Sequence, residues 1–353
     1  MKKLFCVVFA LLIAVLPLCS CEKTTSPYTD EMFALDTIIR FTLYDENEKL
    51  CEDTVQLCKD EITRLENLLS ISKESSDVYK LNKSDEETVL LSEETAQLII
   101  QACDISKSCD GAFDISVKPL MTLWGFDTKE YKVPSDTEIE DVMSLVSYEN
   151  VKLDKNTVSI KQDMAVDLGA VAKGYIGDKV LKIINNSGIY SALVDMGGMI
   201  LCKNVSKSPD EMFWNIGLSY PDDSGECFLK FKNSSPAIST SGGYQRYFES
   251  DGVTYHHIID SKTGKPSKSD ISSVTVIDSD GYLCDALSTA FYVMGIDKTV
   301  EYLNTHKNVM GDRSLVFILS ADKKTLYASQ EYQTYNLEPE LLKGYEDIEI
   351  VYI

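Results

Sequence analysis

Asp285 and Thr289 stand four residues apart in the run D-A-L-S-T-A. Residues i and i+4 share a helix face, so this spacing aims a carboxylate and a hydroxyl at one spot. Both are hard oxygen donors, the kind Mg²⁺ prefers. Upstream, Y-H-H-I-I-D-S-K-T-G-K-P carries His256 and His257, two of the three histidines in 353 residues. Neighbours on a strand point to opposite faces, so at least one of them should be structural or solvent-facing. A histidine with a reference pKa near 6.5 is suited to act as a base at neutral pH. A cation site beside a base suits phosphate chemistry, in which the cation offsets charge and the base activates a hydroxyl. The plain reading of Asp285 is a helix N-cap, for which Asp is a preferred residue.

Familiar alternatives are absent. The chain has no G-x-x-x-x-G-K-[ST], G-x-G-x-x-G or H-E-x-x-H, and no G-x-S-x-G elbow. Three histidines exclude a His-rich metal centre. The formal charge of −22 argues against nucleic acid as a partner. A phosphate-bearing ligand on so acidic a protein needs a local cation. Apolar residues at 44% and charged residues at 25% are those of a folded globular chain.

The elements that must position these groups read as an α+β mixture, without regular βαβ alternation and without repeats. Residues 34–44 form a first strand, and Val55, Cys58, Ile62, Leu65 and Leu69 stripe an amphipathic helix. Ser92 caps a second helix running to about Ser106. Residues 128–150 form a surface excursion with a short acidic helix, and 151–166 a hairpin turning at Asp154–Asn156. D-L-G-A-V-A-K-G-Y leads into a helix through Ile184. The strand at 191–200 is interrupted by two glycines, and Asp251–Gly252 is a hairpin turn. A helix at 297–306 and a closing hairpin complete one compact unit.

Residues 1–20 read as an export signal: Lys2 and Lys3, then an apolar run from Leu4 to Leu18, short for a membrane span. The ending L-C-S-C resembles a bacterial lipobox. That implies a lipidated Cys21 and anchoring to the outer face of the cytoplasmic membrane, with residues 21–32 as a tether. Residues 33–330 then form the catalytic domain and 331–353 a C-terminal extension. Seven further cysteines show no CxxC pair; Cys103–Cys109 as a disulfide and free buried thiols both stay open.

Taken in order, A-L-D-T, S-x(5)-S-D-x(3)-L-N, G-A-F-D-I-S-V-x-P-L-x-x-L-W-G-F, D-L-G-A-V-A-K-G-Y, A-L-V-D-M-G-G, W-N-I-G-L, T-S-G-G-Y-Q-R-Y-F, H-H-I-I-D-S-K-T-G-K-P and D-A-L-S-T-A resemble the ApbE family from about Phe33 to Leu319. The resemblance implies a T-fold-like α+β domain holding FAD in a cleft, with Mg²⁺ on its pyrophosphate. It implies transfer of FMN to a Thr or Ser hydroxyl of an acceptor flavoprotein, leaving AMP. Acceptors would be subunits of redox-driven ion pumps or extracellular electron-transfer proteins. Carried over by motif, the Mg²⁺ ligands are the carbonyl of Ala170 and the side chains of Asp285 and Thr289. FAD contacts fall on Leu35, Ser72, Ala112, Phe113, Asp114, Asp167, Lys173 and His257. His257 and Asp285 are the expected catalytic residues. Leu35 stands where Met is common, Ser72 where Tyr is common, and Ser261 where the family usually has Pro. Two other readings keep the flavin: hydrolysis of FAD to FMN and AMP, and a lipoprotein that binds flavin without catalysis.

Overall fold

A tight hairpin opens the fold in the computed structural model, which describes residues 26–85, 87–204, 213–222, 224–306, 309, 314–334 and 338–353. Strands β1 (Tyr28–Ala34) and β2 (Thr37–Tyr44) pair antiparallel. Leu35 and Asp36 make the turn with φ of 53° and 58°, the left-handed geometry that matches strand twist. The strand expected at 34–44 is thus the second of two. The tether expected through residue 32 ends before Tyr28, where alternating burial already marks a strand. Signal residues 1–20 and Cys21 lie outside the described residues.

Helix α1 (Glu48–Leu69) buries the predicted stripe. Helices α2 (Asp77–Lys83) and α3 (Glu93–Ser108) follow, the latter capped by Ser92, which accepts the Thr95 N–H at 3.2 Å. Helix α4 (Lys118–Trp124) precedes the excursion, which holds α5 (Asp136–Met143) as its short acidic helix; strands β4 (Lys152–Asp154) and β5 (Thr157–Ser159) form the hairpin that follows, to which β3 (Val89–Leu90) adds. Helix α6 (Gly169–Ser187) leads into β6 (Ser191–Asp195) and β7 (Met199–Lys203). Beyond β8 (Trp214–Ser219), β9 (Cys227–Asn233) and β10 (Ala237–Gly242) come two short hairpins, β11 (Tyr247–Ser250) with β12 (Val253–His256) and β13 (Ile259–Asp260) with β14 (Lys265–Pro266). Strand β15 (Ile271–Asp278), helices α7 (Gly281–Met294) and α8 (Ile296–Thr305), and strands β16 (Leu315–Ser320) and β17 (Thr325–Ala328) follow. The short helix α9 (Glu331–Thr334) and strands β18 (Glu340–Leu341) and β19 (Glu349–Tyr352) close the chain.

The main sheet runs β1-β2-β6-β7-β10-β15-β16-β17-β19, antiparallel except for the last pair. Its two faces have different covers. Val316 and Ile318 of β16 face a core shared with α1, α6 and α7, while Leu315, Phe317 and Leu319 face a second core under the β18-β9-β8 sheet. A strand buried on both faces reads as an unbroken apolar run, which L-V-F-I-L-S is. The C-terminal extension expected at 331–353 is therefore part of the fold: β19 is a main-sheet strand and β18 an edge of the small sheet. A third cluster under α4 and α5 gathers Leu120, Trp124, Phe126, Ile139 and Ile259. All seven described cysteines are free thiols.

Candidate functional site

Helices α6 and α7 approach more closely than ordinary side chains allow, and the site is built on that approach. A Cβ on Gly174 would stand 2.2 Å from the Gly281 carbonyl oxygen and 2.8 Å from Asp285 Cβ. Glycine is the residue for such a contact. Ala170, Gly174 and Asp178 occupy every fourth position of α6, and Gly281, Asp285 and Thr289 every fourth position of α7, one facing stripe on each helix. Two rungs connect them. Asp178 accepts the N–H groups of Gly281 and Tyr282 at 2.8 and 3.0 Å, and Asp285 Oδ2 accepts the Gly174 N–H at 2.9 Å. Continued by one turn, the antiparallel register of these two rungs pairs Ala170 with Thr289. Gly174 N–H is the donor that helix geometry directs at the Ala170 carbonyl, so the carboxylate and that carbonyl flank one amide.

Helix α7 starts at Gly281 with Asp280 as its N-cap, bonded to the Leu283 N–H at 3.2 Å. Asp285 therefore lies a turn inside the helix and is not the cap that its preference for helix starts suggested. It is 5% exposed. Burial pushes its carboxyl up, against the opposing pull of the nearby Lys173 charge and the Gly174 N–H. A buried carboxylate beside a hydroxyl and a helix carbonyl is a hard oxygen donor set that fits a divalent cation. Among the described residues no three His, Cys, Asp or Glu side chains cluster as a metal site, so the fit depends on a mixed set that includes backbone oxygen.

Strand β10 adds a wall of hydroxyls absent from the sequence expectations. Ser239 Oγ donates to Asp285 Oδ1 at 3.2 Å, and Ser241 Oγ lies 2.8 Å from Ser288 Oγ and 3.4 Å from Thr289 Oγ1. Residues i and i+2 of a strand share a face. The S-T-S spacing carried that signal, though nothing local says which face meets α7.

The histidines separate as their adjacency requires. His256 is consumed: Nε2 meets the Ser267 carbonyl at 3.0 Å and Nδ1 accepts the Ile258 N–H at 3.3 Å. His257 Nδ1 lies 3.1 Å from the Arg246 carbonyl. That contact places the ring proton on Nδ1, and Nε2 is without a hydrogen-bond partner among the described residues. Burial, the Arg246 guanidinium and Lys173 hold this imidazole neutral, pushing its pKa down to about 3. Lys173 thus influences both Asp285 and His257, and Arg246 both His257 and Asp167. Asp167, with Oδ1 accepting the Gly169 N–H at 2.8 Å, stands where the chain enters α6. Asp167, Lys173, His257 and Asp285 form one electrostatic neighbourhood around the start of α6. Arg246 is its further cation.

The other expected contacts have different roles. Asp114 is spent locally: Oδ1 accepts the Ser116 N–H and hydroxyl at 2.8 and 2.6 Å, and Oδ2 the Tyr148 N–H at 3.0 Å. The Phe113 side chain is in the main core, so this residue can offer a ligand only its backbone. Ala112 is partly buried beside it. Ser72 is exposed and bonded to Ser70; no described contact ties it to the joint. Leu35 sits in the hairpin turn with its N–H on Glu66 Oε1 at 2.8 Å. Ser261 donates its hydroxyl to the Gly111 carbonyl at 2.6 Å, so it ties the histidine loop to the Ala112 loop.

Comparison with known proteins gives a concordant picture. Residues 35–311 match the model of the ApbE family. A FAD:protein FMN transferase of Klebsiella pneumoniae is 31% identical over 80% of this chain and 87% of its own length. The Vibrio cholerae FAD:protein FMN transferase is 30% identical over 76% of this chain and 80% of its own. In structure, the ApbE protein of Thermotoga maritima superposes with a TM-score of 0.79 at 31% identity, over 88% of this chain and all of the other. The V. cholerae flavin transferase ApbE does so at 0.74 and 25%, over 87% and 99%. With the family model spanning the hairpin turn, the helix joint and both histidines, the chain belongs to the ApbE family.

Proposed function

We propose that this protein transfers the FMN half of FAD to a Thr or Ser hydroxyl of an acceptor flavoprotein, leaving AMP, in a Mg²⁺-dependent reaction. The observation that carries the reading is the α6–α7 joint, where Asp285 accepts the Gly174 N–H of α6, Thr289 follows one turn along the same face, and Lys173 acts on both Asp285 and His257. Relatives named FAD:protein FMN transferase support it. Asp285, Thr289 and the Ala170 carbonyl would hold Mg²⁺, which when bound offsets negative charge on the pyrophosphate oxygens.

The chain's own groups have distinct tasks. Lys173 and Arg246 attract and orient the dinucleotide's phosphates. His257 presents an unprotonated Nε2, which takes the proton of the acceptor hydroxyl as that oxygen bonds to the FMN phosphorus. The bond from that phosphorus to the bridging oxygen breaks, and AMP departs with the electron pair. The low proton affinity of His257 comes partly from cations around it. A bound phosphate anion counters those cations and raises that affinity where the proton must move.

Incubating the purified protein with FAD, Mg²⁺ and a flavin-accepting subunit of a redox-driven ion pump tests this by mass spectrometry. An FMN adduct on the acceptor with stoichiometric AMP is expected. Free FMN with AMP and no adduct would make the protein a pyrophosphatase instead, and unchanged FAD a binding protein. We further propose export and lipid anchoring at Cys21, supported by the basic–apolar–cysteine leader. Among the described residues no helix is long and apolar enough to cross a membrane. Labelled lipid incorporated by the wild type and lost in Cys21→Ala checks the anchor.

A further inference from the structure

The joint between α6 and α7 is closed by two carboxylates reaching in opposite directions. Asp285 crosses from α7 to the Gly174 N–H, and Asp178 crosses from α6 to the N–H groups of Gly281 and Tyr282. Those two amides belong to the helix start, where N–H groups have no acceptor within the helix. Asp280, already the N-cap, serves Leu283. A cap of that kind keeps α7 helical but says nothing about where α7 lies. Asp178 comes from the other helix, 103 residues away in sequence from Gly281, and its bonds fix position.

The clamped residue is on the stripe that matters. Gly281, Asp285 and Thr289 follow one another at successive turns, so any shift of Gly281 relative to α6 passes along a stiff helix to both side chains. Little slack exists at the clamp. A Cβ on Gly281 would stand 2.8 Å from Asp178 Oδ1 and 2.9 Å from the Gly174 carbonyl oxygen. Asp178 borders a cleft of about 210 Å³ shared with Gln101, Tyr175, Lys179, Lys182, Asp280 and Tyr282, so its partners are the α7 amides and not the site itself.

We infer that Asp178 is a positioning residue for the metal-ligating pair, setting through the first turn of α7 the distance of Asp285 and Thr289 from the Ala170 carbonyl. The inference rests on the reading of those three groups as cation ligands. Supporting groups one layer out from a metal commonly contribute ten- to a hundredfold to its affinity.

The test is Mn²⁺ binding to the purified protein, followed by loss of the free-ion EPR signal, in wild type, Asp285→Asn, Asp178→Asn and Gly281→Ala. Asp285→Asn probes the underlying site: unchanged Mn²⁺ affinity there would remove the site reading, and the present inference with it. With that control weakened, Asp178→Asn should bind Mn²⁺ about tenfold less tightly while circular dichroism and FAD affinity stay at wild-type values. Gly281→Ala, which opens the clamp from the other side, should weaken Mn²⁺ in the same sense. In transfer assays, saturating Mg²⁺ should restore most of kcat to Asp178→Asn, as expected if only the approach of the ligands is disturbed. Wild-type Mn²⁺ affinity in a folded Asp178→Asn protein, or a kcat loss that Mg²⁺ does not recover, would overturn the inference.

Discussion

The α6–α7 joint and the histidine loop meet at one site but are built differently. At the joint, every functional group sits on a regular element, a glycine contact sets the spacing, and carboxylates reach across to backbone amides. Asp285 is almost fully buried and has little freedom. His257 follows an exposed hairpin whose turn, Asp251–Gly252, uses two left-handed residues. It is backed by rings: Tyr131 stacks on Phe248 at 5.1 Å, Phe248 on Tyr255 at 5.3 Å, and Phe126 meets the His257 ring edge-on at 6.5 Å. Tyr131 is 43% exposed. Under the proposed function the joint would hold a cation, whose donors need the fixed separations that rigid elements supply. Under the proposed function His257 must be reached by an incoming hydroxyl, and a half-buried place just after a hairpin suits that.

Removing Asp285 should break the joint side most completely. Asp285→Ala is expected to lower FMN transfer by about 10³-fold or more, read as adduct formed per unit time. Retention of a tenth of the wild-type rate would place the cation elsewhere. His257→Ala should cost about 10²-fold in the same assay and leave Mn²⁺ affinity unchanged, because the loop supplies no donor to the joint. A variant at wild-type speed with intact FAD binding would leave His257 only an orienting role.

The neighbouring histidine sharpens the contrast. His256→Ala should retain the transfer rate within a few-fold but lose about 1–2 kcal/mol of stability in chemical denaturation, since the Ser267 carbonyl and Ile258 N–H lose their partner. A large rate loss without a stability loss would reverse the assignment of the pair.

The smallest effect is in the pH dependence of stability, where the two regions have opposite signs. Burial and the nearby Asp280 charge raise the Asp178 carboxyl above its ordinary value. The folded state then holds a proton that the unfolded chain releases near pH 3.8, and stability falls as pH rises through the raised value. His257 is lowered, so the unfolded chain takes the proton first and stability falls as pH drops below about 6.5. Relative to wild type, Asp178→Asn should therefore gain Tm as pH rises towards about 8. His257→Gln should gain Tm as pH drops towards about 5. Parallel Tm profiles for all three proteins would show that neither group titrates in these windows.

Much of the local structure was legible. The stripe of α1, the Ser92 cap, the Asp154–Asn156 hairpin and the Asp251–Gly252 turn follow from period, capping and turn chemistry within a few residues. Errors arose where a segment's partner lies elsewhere. T-D-E-M looks like polar tether until it pairs with β2. The last strand looks like an appendage until it joins β17. The bland alternative for Asp285, a helix cap, is the role Asp280 takes.

The sequence by itself determined the α+β class, the family motifs, the oxygen chemistry of Asp285 and Thr289, and that adjacent histidines must divide their roles. These are properties of residue type and short-range geometry. Only the tertiary structure decided that His256 is spent on Ser267 and Ile258, that Ser239 and Ser241 line the site, and that Asp178 faces Gly281. Asp285 reaches Gly174 across 111 residues. No local period encodes such a contact, because it exists only once two glycines let the helices close.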